Sequence, residues 1–505
     1  MQQKRNGQIP MRSSLSPVPH LDHCGPSFSD VGAVSAAHPL AAQAAVDVLT
    51  SGGTAADAAI AAQAVICVVM PHATGLGGDL LALVHRDGAV QAINGTGRSP
   101  AVAPKNWASD GGGSVTVPGI VPGWIKLHSL HGRLGLAEVL ASARKIAQEG
   151  YLIDDSLSAA VDAQRPRLMR YGGKSWNLLG LAKGDLWRQP ALASFLEHIS
   201  ISGDQGYYLR NASALMAKAA RAFGGSLQAA DFRNHSTFVG EPLHTSWGDQ
   251  TLWVQPPSAQ GVLLAMAAKW LTENPRALSP DFQHVLAELT DAVFQYRDEV
   301  ARGSDNLARH LEVDRVRASN RGGARAYLHT AGVAVADREG MVISSLISVF
   351  DDFGSGVFVP ELGIVLNNRA AGFTGGDNAP RPNAYPVHTL APALLTSPKG
   401  DVLGLATPGA DGQVQTLLQV ISRMRFEQTN LAHAIAAPRW RGQDRTLLIE
   451  DTHPDIDMLT QRGHRLSLLP SGDDMFGAVV AAGWENHRAY AASDWRRGVV
   501  TATAK

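Results

Sequence analysis

The chain of 505 residues has little cysteine, almost no net charge and no long apolar run. Cys24 and Cys67 are its only two cysteines, too few for a disulfide framework, so nothing points to secretion. Cys67 lies in Val65-Ile66-Cys67-Val68-Val69 and reads as core. Cys24 follows His20 and His23, but with no second ligand cluster at metal-site spacing these residues do not make a metal centre, and no metal is expected. A formal net charge of -1 gives no electrostatic footprint for nucleic acid or an anionic membrane. No stretch approaches the ~18 apolar residues of a membrane-spanning helix. Lys4 and Arg5 lack the apolar segment that would follow in a signal peptide. A cytoplasmic location is therefore the expectation. Common catalytic signatures are missing too: there is no Gly-x-Ser-x-Gly elbow, no Cys-x-x-Cys and no His-Glu-x-x-His. The glycine-rich stretch Thr74-Gly75-Leu76-Gly77-Gly78-Asp79 stands after a helical pattern and before a strand, whereas a dinucleotide fingerprint follows a strand and opens a helix. No cofactor is expected.

What is present is a globular chain, 45% hydrophobic, with enough apolar residues for a real core. Residues 1–28, with Pro10, Pro17, Pro19 and Pro26, read as a mobile arm. Leu40–Thr50 has helical spacing and stops at Ser51-Gly52-Gly53. Thr54 and Asp57 fit a capping box for an Ala-rich helix to about Val69, apolar nearly all round and so expected to be buried. Leu80–His85 and Ala89–Ile93 read as a hairpin. Helices are expected over Gly123–His131, Leu136–Glu149, Ser156–Ala163 and 281–303, and a helix also follows the loop Pro256-Pro257-Ser258-Ala259-Gln260-Gly261. Asp314–Arg325, polar and rich in Arg and Gly, reads as an exposed, cleavable linker. Beyond it the pattern turns to strands, first a hairpin from Thr330 to Asp337 and Met341 to Ser348 around Glu339-Gly340. A helical first part and a strand-rich second part predict layered α/β or α+β packing.

Thr330, at the mouth of that hairpin, is on its own only a strand-start threonine. The chain as a whole resembles the γ-glutamyltranspeptidase family of N-terminal nucleophile hydrolases. The resemblance rests on stretches spread over nearly the whole length: His38-Pro39-Leu40-Ala41, Gly52-Gly53-Thr54-Ala55-Ala56-Asp57-Ala58-Ala59, Gly75-Leu76-Gly77-Gly78, Val117-Pro118-Gly119, Thr330-Ala331, Phe353-Gly354-Ser355-Gly356, Gly363-Ile364-Val365-Leu366-Asn367-Asn368 and Thr407-Pro408-Gly409. It implies a four-layer αββα sandwich of the α+β class. It also implies a precursor that cuts itself between His329 and Thr330 into a large subunit, 29–329, and a small one, 330–505. Thr330 would be the nucleophile and its freed α-amine the base. A hydroxyl needs such a base, and an α-amine with a pKa of about 7.7–8.0 is partly neutral near pH 7. Ser348 stands where the family has a supporting threonine hydroxyl. Gly409 and Ala410 stand where two glycines supply oxyanion N–H groups, and backbone donors survive a Gly→Ala change if the local conformation suits alanine.

The residues that read the γ-glutamyl group in the family are changed. Thr96 takes the place of its carboxylate-binding arginine, with Arg98 two residues on. Asn367-Asn368 is followed by Arg369-Ala370-Ala371-Gly372-Phe373 where the family has aspartates. Phe350 replaces a polar group, and His388-Thr389 replaces a serine pair. A site with no acid and an added guanidinium disfavours an ammonium and favours an anion. The resemblance thus implies an amidohydrolase for a small carboxylate amide, oxamate above all, with Arg98, Arg369, His388 and Thr389 binding substrate. Arg98 and Arg369 as surface or structural ion-pair residues is the plainer reading of each. Two competing expectations are a γ-glutamyltransferase or glutathione hydrolase with a rearranged pocket, and an uncleaved binding homologue. A dimer of the processed heterodimer is a further expectation.

Overall fold

The computed structural model describes residues 20–275, 281–322 and 330–505. His329 and the rest of 323–329, and so the chain on one side of the expected scissile bond, lie outside the described residues.

Two seven-stranded sheets face each other. One, called the nucleophile sheet after the role expected of Thr330, runs Val500–Ala504, Gly32–Ala36, Ala331–Asp337, Val342–Ser348, Asp79–Arg86, Ala89–Asn94, Phe238–Gly240. The facing sheet runs Ser27–Ser29, Arg488–Ser493, Val480–Glu485, Val402–Ala406, Ala393–Thr396, Gln250–Val254, Leu243–Trp247. Alternation along the strands sorts their side chains. Ala331, Val333 and Val335 point outward into a cluster built on the helices Pro39–Thr50 and Ala55–Val69. Ala334, Ala336, Leu346, Leu81 and Leu83 point inward, against Leu394, Ala406 and Val480 of the facing sheet. The outer face of that sheet is covered by Gly261–Glu273, Phe282–Phe294 and Gly412–Phe426. The layers are helix, sheet, sheet, helix: an αββα sandwich.

The helix Ala55–Val69 forms as its sequence indicates. The capping box closes, with Thr54 N–H donating to Asp57 Oδ2 at 3.0 Å and Asp57 N–H to Thr54 Oγ1 at 3.2 Å. All fifteen of its residues are buried. Two polar ties register it on the nucleophile hairpin: Ala55 N–H donates to Asp337 Oδ2 at 2.8 Å, and Gln63 Nε2 to Ser345 Oγ at 2.7 Å.

Some expectations need correcting. The end of the supposed mobile arm is anchored: Ser27–Ser29 pairs with Arg488–Ser493, and Cys24 is fully buried. Burial pushes its thiol up to about 11, and His20 stacks on Trp495 at 4.3 Å, so the His20–His23–Cys24 grouping is a packing feature. The chain there buys a sheet edge that proline counting does not reveal. The helix expected over Leu136–Glu149 breaks at Leu140, and the one expected over 281–303 ends at Phe294, continuing as 3-10 turns through Gly303 at φ 55°. The helix expected over Ser156–Ala163 instead spans Asp155–Arg170, carrying Pro166 inside it. Asp314–Arg317 of the expected linker is exposed.

Candidate active site

The site is a row of polar side chains across the nucleophile sheet. Ala331 pairs with Ile347, which sets Thr330 opposite Ser348; Ser348 pairs with Asp79; Leu81 pairs with Asn94 and Gly95 N–H donates to the Leu80 carbonyl, which sets Asp79 opposite Thr96. Residues opposite one another share a face. By strand alternation, this is the inward face that carries Ala334, Leu346, Leu81 and Ala92. Thr330, Ser348, Asp79 and Thr96 therefore line the mouth of the layer between the sheets, one strand apart. All four are buried.

The Thr330 hydroxyl donates to Ser348 Oγ at 3.3 Å, and Ser348 Oγ also accepts the Phe350 N–H at 2.9 Å. A first bond of 3.3 Å is long for two hydroxyls, which prefer about 2.7–2.8 Å. It orients Thr330 without tying up its oxygen. Gly77 and Gly78 make the row possible. A Cβ on Gly78 would lie 2.3 Å from the Ser348 carbonyl oxygen, and one on Gly77 would lie 2.1 Å from that of Val365. Only glycine lets the chain pass there into Asp79.

The loop after Ile364–Val365 delivers Arg369. Asn367 Nδ2 donates to the Gly77 carbonyl at 2.9 Å, and its Oδ1 accepts from Thr116 and from the Arg369 N–H at 3.0 Å. Arg369 Nε then donates to Asp79 Oδ2 at 2.9 Å, with both side chains fully buried. The guanidinium lies over the Phe350 ring, 4.6 Å from its centroid. Among the described residues, both terminal nitrogens of Arg369 and Oδ1 of Asp79 have no hydrogen-bond partner. His388 completes the group, its Nε2 3.3 Å from Asp79 Oδ2. Its Nδ1 accepts the Leu390 N–H at 3.2 Å, so Nε2 carries the ring proton and donates. Burial and the Arg369 charge push the imidazole down to about 4, so it is neutral at pH 7. Burial alone would raise the Asp79 carboxyl; the His388 hydrogen bond and the Arg369 charge outweigh it and hold it below the usual range.

The oxyanion candidates follow the strand Val402–Ala406 of the facing sheet. Ala406 pairs with Val480, and a Cβ on Gly332 would lie 2.8 Å from the Val480 side chain, which places that strand end over the Thr330 end of the nucleophile strand. Gly409 has φ 122° and Ala410 φ 49°. The alanine is thus in the left-handed region, where a side chain costs about 1 kcal/mol. Gln260 braces the turn, its Nε2 donating to the Ala410 carbonyl at 2.8 Å and to the Thr389 carbonyl at 2.6 Å.

Of the residues singled out from the sequence, the fold brings Thr330, Ser348, Arg369 and His388 together around Asp79. The sequence reading requires two corrections. The site does hold an acid, Asp79, whose only local signal was its place behind paired glycines. Arg98 is not in the cluster: the strand Ala89–Asn94 has ended, so alternation no longer holds it beside Thr96, and its exposed guanidinium stands over Tyr385 at 4.8 Å. Gln260 was missed because nothing in a Pro-rich loop marks a glutamine as a brace.

Buried histidines predict acid lability. His388 and His235 are held down to about 4, and His453 to about 3, by burial. Between pH 6.5 and 4 the unfolded chain binds protons that the folded one does not, so stability rises with pH across this window and is lost as pH falls through it. His388 alone is expected to contribute about 3 kcal/mol to that loss. The urea midpoint is expected to fall steadily from pH 6.5 to pH 4; a flat profile would contradict these assignments.

A self-facing pair of sheets covered by helices, with a threonine at the start of an inner strand, defines the architecture of the N-terminal nucleophile hydrolases. The profile of the γ-glutamyltranspeptidase family matches residues 41–504, and the chain belongs to that family. It is 31% identical to an oxamate amidohydrolase proenzyme of Klebsiella pneumoniae, over 82% of this chain and 85% of that protein. It is 26% identical to a glutathione hydrolase proenzyme of Bacillus subtilis, over 87% of this chain and 86% of that one. The fold is similar to the crystal structure of a cephalosporin acylase from Bacillus halodurans, with a TM-score of 0.83 at 25% identity, covering 99% of this chain and 100% of the other. Like these relatives, the protein is a hydrolase acting on C–N bonds. No helix among the described residues is long and apolar enough to cross a membrane.

Proposed function

We propose that the protein is a self-processing threonine amidohydrolase that cleaves a small carboxylate amide, with oxamate as the first candidate. The observation that carries this reading is the buried Arg369, with two terminal nitrogens open for a carboxylate fork. It stands beside Asp79, in the same polar row as Thr330.

Cleavage of the His329–Thr330 bond frees the α-amine of Thr330. The amine takes the hydroxyl proton as Oγ1 attacks the amide carbon, and the carbonyl electrons pass to the oxygen held by the N–H groups of Gly409 and Ala410. The tetrahedral centre collapses, the proton goes to the departing nitrogen, and ammonia leaves. Water then attacks the ester by the same route and releases the carboxylate. Arg369 holds the substrate carboxylate; His388 and Thr389 shape the wall behind it, and Arg98 adds positive potential at the rim. The cut would leave the strands Ala331–Asp337 and Val342–Ser348 of the small subunit between Gly32–Ala36 and Asp79–Arg86 of the large one. These two ladders would hold the pieces together along with those that pair Val500–Ala504 with Gly32–Ala36 and Ala393–Thr396 with Gln250–Val254.

A second reading, hydrolysis of γ-glutamyl compounds, is favoured by the open Oδ1 of Asp79, which could accept from an α-ammonium. Ammonia release from oxamate, set against chromophore release from a γ-glutamyl anilide, separates the two. Turnover of the anilide alone would end the oxamate reading.

A further inference from the structure

On the far side of the facing sheet, three ligand-type side chains meet in a place the hydrolytic site does not use. His284 and Glu288 are four residues apart on the helix Phe282–Phe294, so they share one face. His464 comes from the turn before the strand Leu466–Leu469. His284 Nδ1 and His464 Nε2 lie 2.8 Å apart, and a ligand atom of each of the three residues lies within 4.8 Å of the others. His284 and Glu288 are fully buried. Glu288 Oε1 accepts the Ser319 N–H at 2.9 Å, while Oε2 has no hydrogen-bond partner among the described residues.

We infer that His284, Glu288 and His464 form a binding site for a divalent transition-metal ion of the zinc class. Two imidazoles and one carboxylate are a donor set that such ions take, with a fourth position for water. Ligands 2.0–2.2 Å from a tetrahedral ion stand roughly 3.3–3.6 Å apart, so the imidazoles need to part by only about 0.5 Å. The groups around the cluster suit it. His284 turns Nδ1 to His464, while its Nε2 is buried without a hydrogen-bond partner among the described residues. The neighbouring Arg462 is neutralised by its contact with Asp281.

The position gives the site a role. His284 and Glu288 precede Thr330 in the chain and His464 follows it. The segment on which the site rests leads towards the residues before Thr330: Ala318 N–H donates to the Arg462 carbonyl at 2.8 Å, and Asn320 Nδ2 to that of Gly463 at 3.1 Å. A metal there would fasten the end of the large subunit to the small one.

The test uses full-length protein stripped with a chelator, dialysed and titrated with Co²⁺, followed by calorimetry and visible absorption. One Co²⁺ per chain is expected, with a visible d–d band, displaced by one equivalent of Zn²⁺. His464→Gln changes a half-buried position and Glu288→Gln keeps the side-chain shape; each is expected to weaken binding at least tenfold, with near-ultraviolet circular dichroism confirming that the variants fold. Thr330→Ala is expected to bind as the wild type does. Absence of saturable binding in the wild type, or unchanged binding in both ligand variants, would overturn the site. So would loss of binding in Thr330→Ala, since it would place the ion at the nucleophile.

Discussion

Thr330→Ala is expected to leave a single inactive chain. The wild type should separate on a denaturing gel into two fragments, one of them beginning at Thr330 by N-terminal sequencing. In the proposed mechanism the hydroxyl attacks in both reactions, first the carbonyl carbon of His329 and then the substrate amide, so its loss would remove both at once. Neither neighbour can replace it. Ser348 Oγ already accepts from Phe350 and lies one strand away, on a residue whose own amine is locked in a peptide bond. The loss of hydrolysis should be on the order of 10⁴-fold or more, as for other nucleophile deletions. Thr330→Ser keeps both hydroxyl and α-amine and should be cut and retain activity. Cleavage of the alanine variant at the same bond would show that the proposed self-processing is wrong.

Arg369→Met is expected to damage stability and specificity separately. Removing one partner of a buried ion pair strands the other, at a cost of about 3–5 kcal/mol. The stranded group is Asp79, left with the neutral His388 alone. The same change removes a charge-assisted fork worth roughly 1.5–3 kcal/mol to a bound carboxylate, so kcat/KM for oxamate should fall about 10- to 100-fold. The double variant Arg369→Met, Asp79→Asn separates these effects. With no stranded charge it should recover most of the urea stability while its oxamate activity stays low. Hydrolysis of acetamide, which has no carboxylate, should be little changed between the double variant and the wild type. Recovery of oxamate turnover in the double variant would mean that Arg369 is a structural ion-pair residue and no more.

Much of the scaffold could be read from local pattern. The Ala55–Val69 helix carries its cap in Thr54 and Asp57, and the nucleophile hairpin carries its alternation, so both stand where expected. Thr330 acquired meaning only from matches spread along the chain, because a strand-start threonine has no local mark. Pocket chemistry was harder to read. Asp79 and Arg369 are 290 residues apart and find each other only through register and the Asn367 loop. Reading Arg369 without Asp79 made the site look like a bare cation, whereas the fold supplies a neutralised pair with open hydrogen-bonding edges. The outward turn of Arg98 was hidden for the opposite reason: its place near Thr96 was clear, but the strand end that exposes it at the rim was not. Ala410 takes a left-handed conformation that favours glycine, a strain that composition does not show.

The four-residue row has a consequence for which amides can be used. Its members are spaced by the hydrogen-bonding distance of a β-sheet, about 4.8 Å per strand, and that interval cannot be adjusted by moving a loop. In the proposed reaction the sheet would work as a ruler, with Thr330 at one graduation and the Asp79–Arg369 pair at another. Among straight-chain monoamides of dicarboxylic acids, one length should fit the interval, and those a methylene shorter or longer should present either the amide or the carboxylate out of place. Selectivity of this kind is set by backbone pairing and would survive changes in the side chains that merely line the entrance.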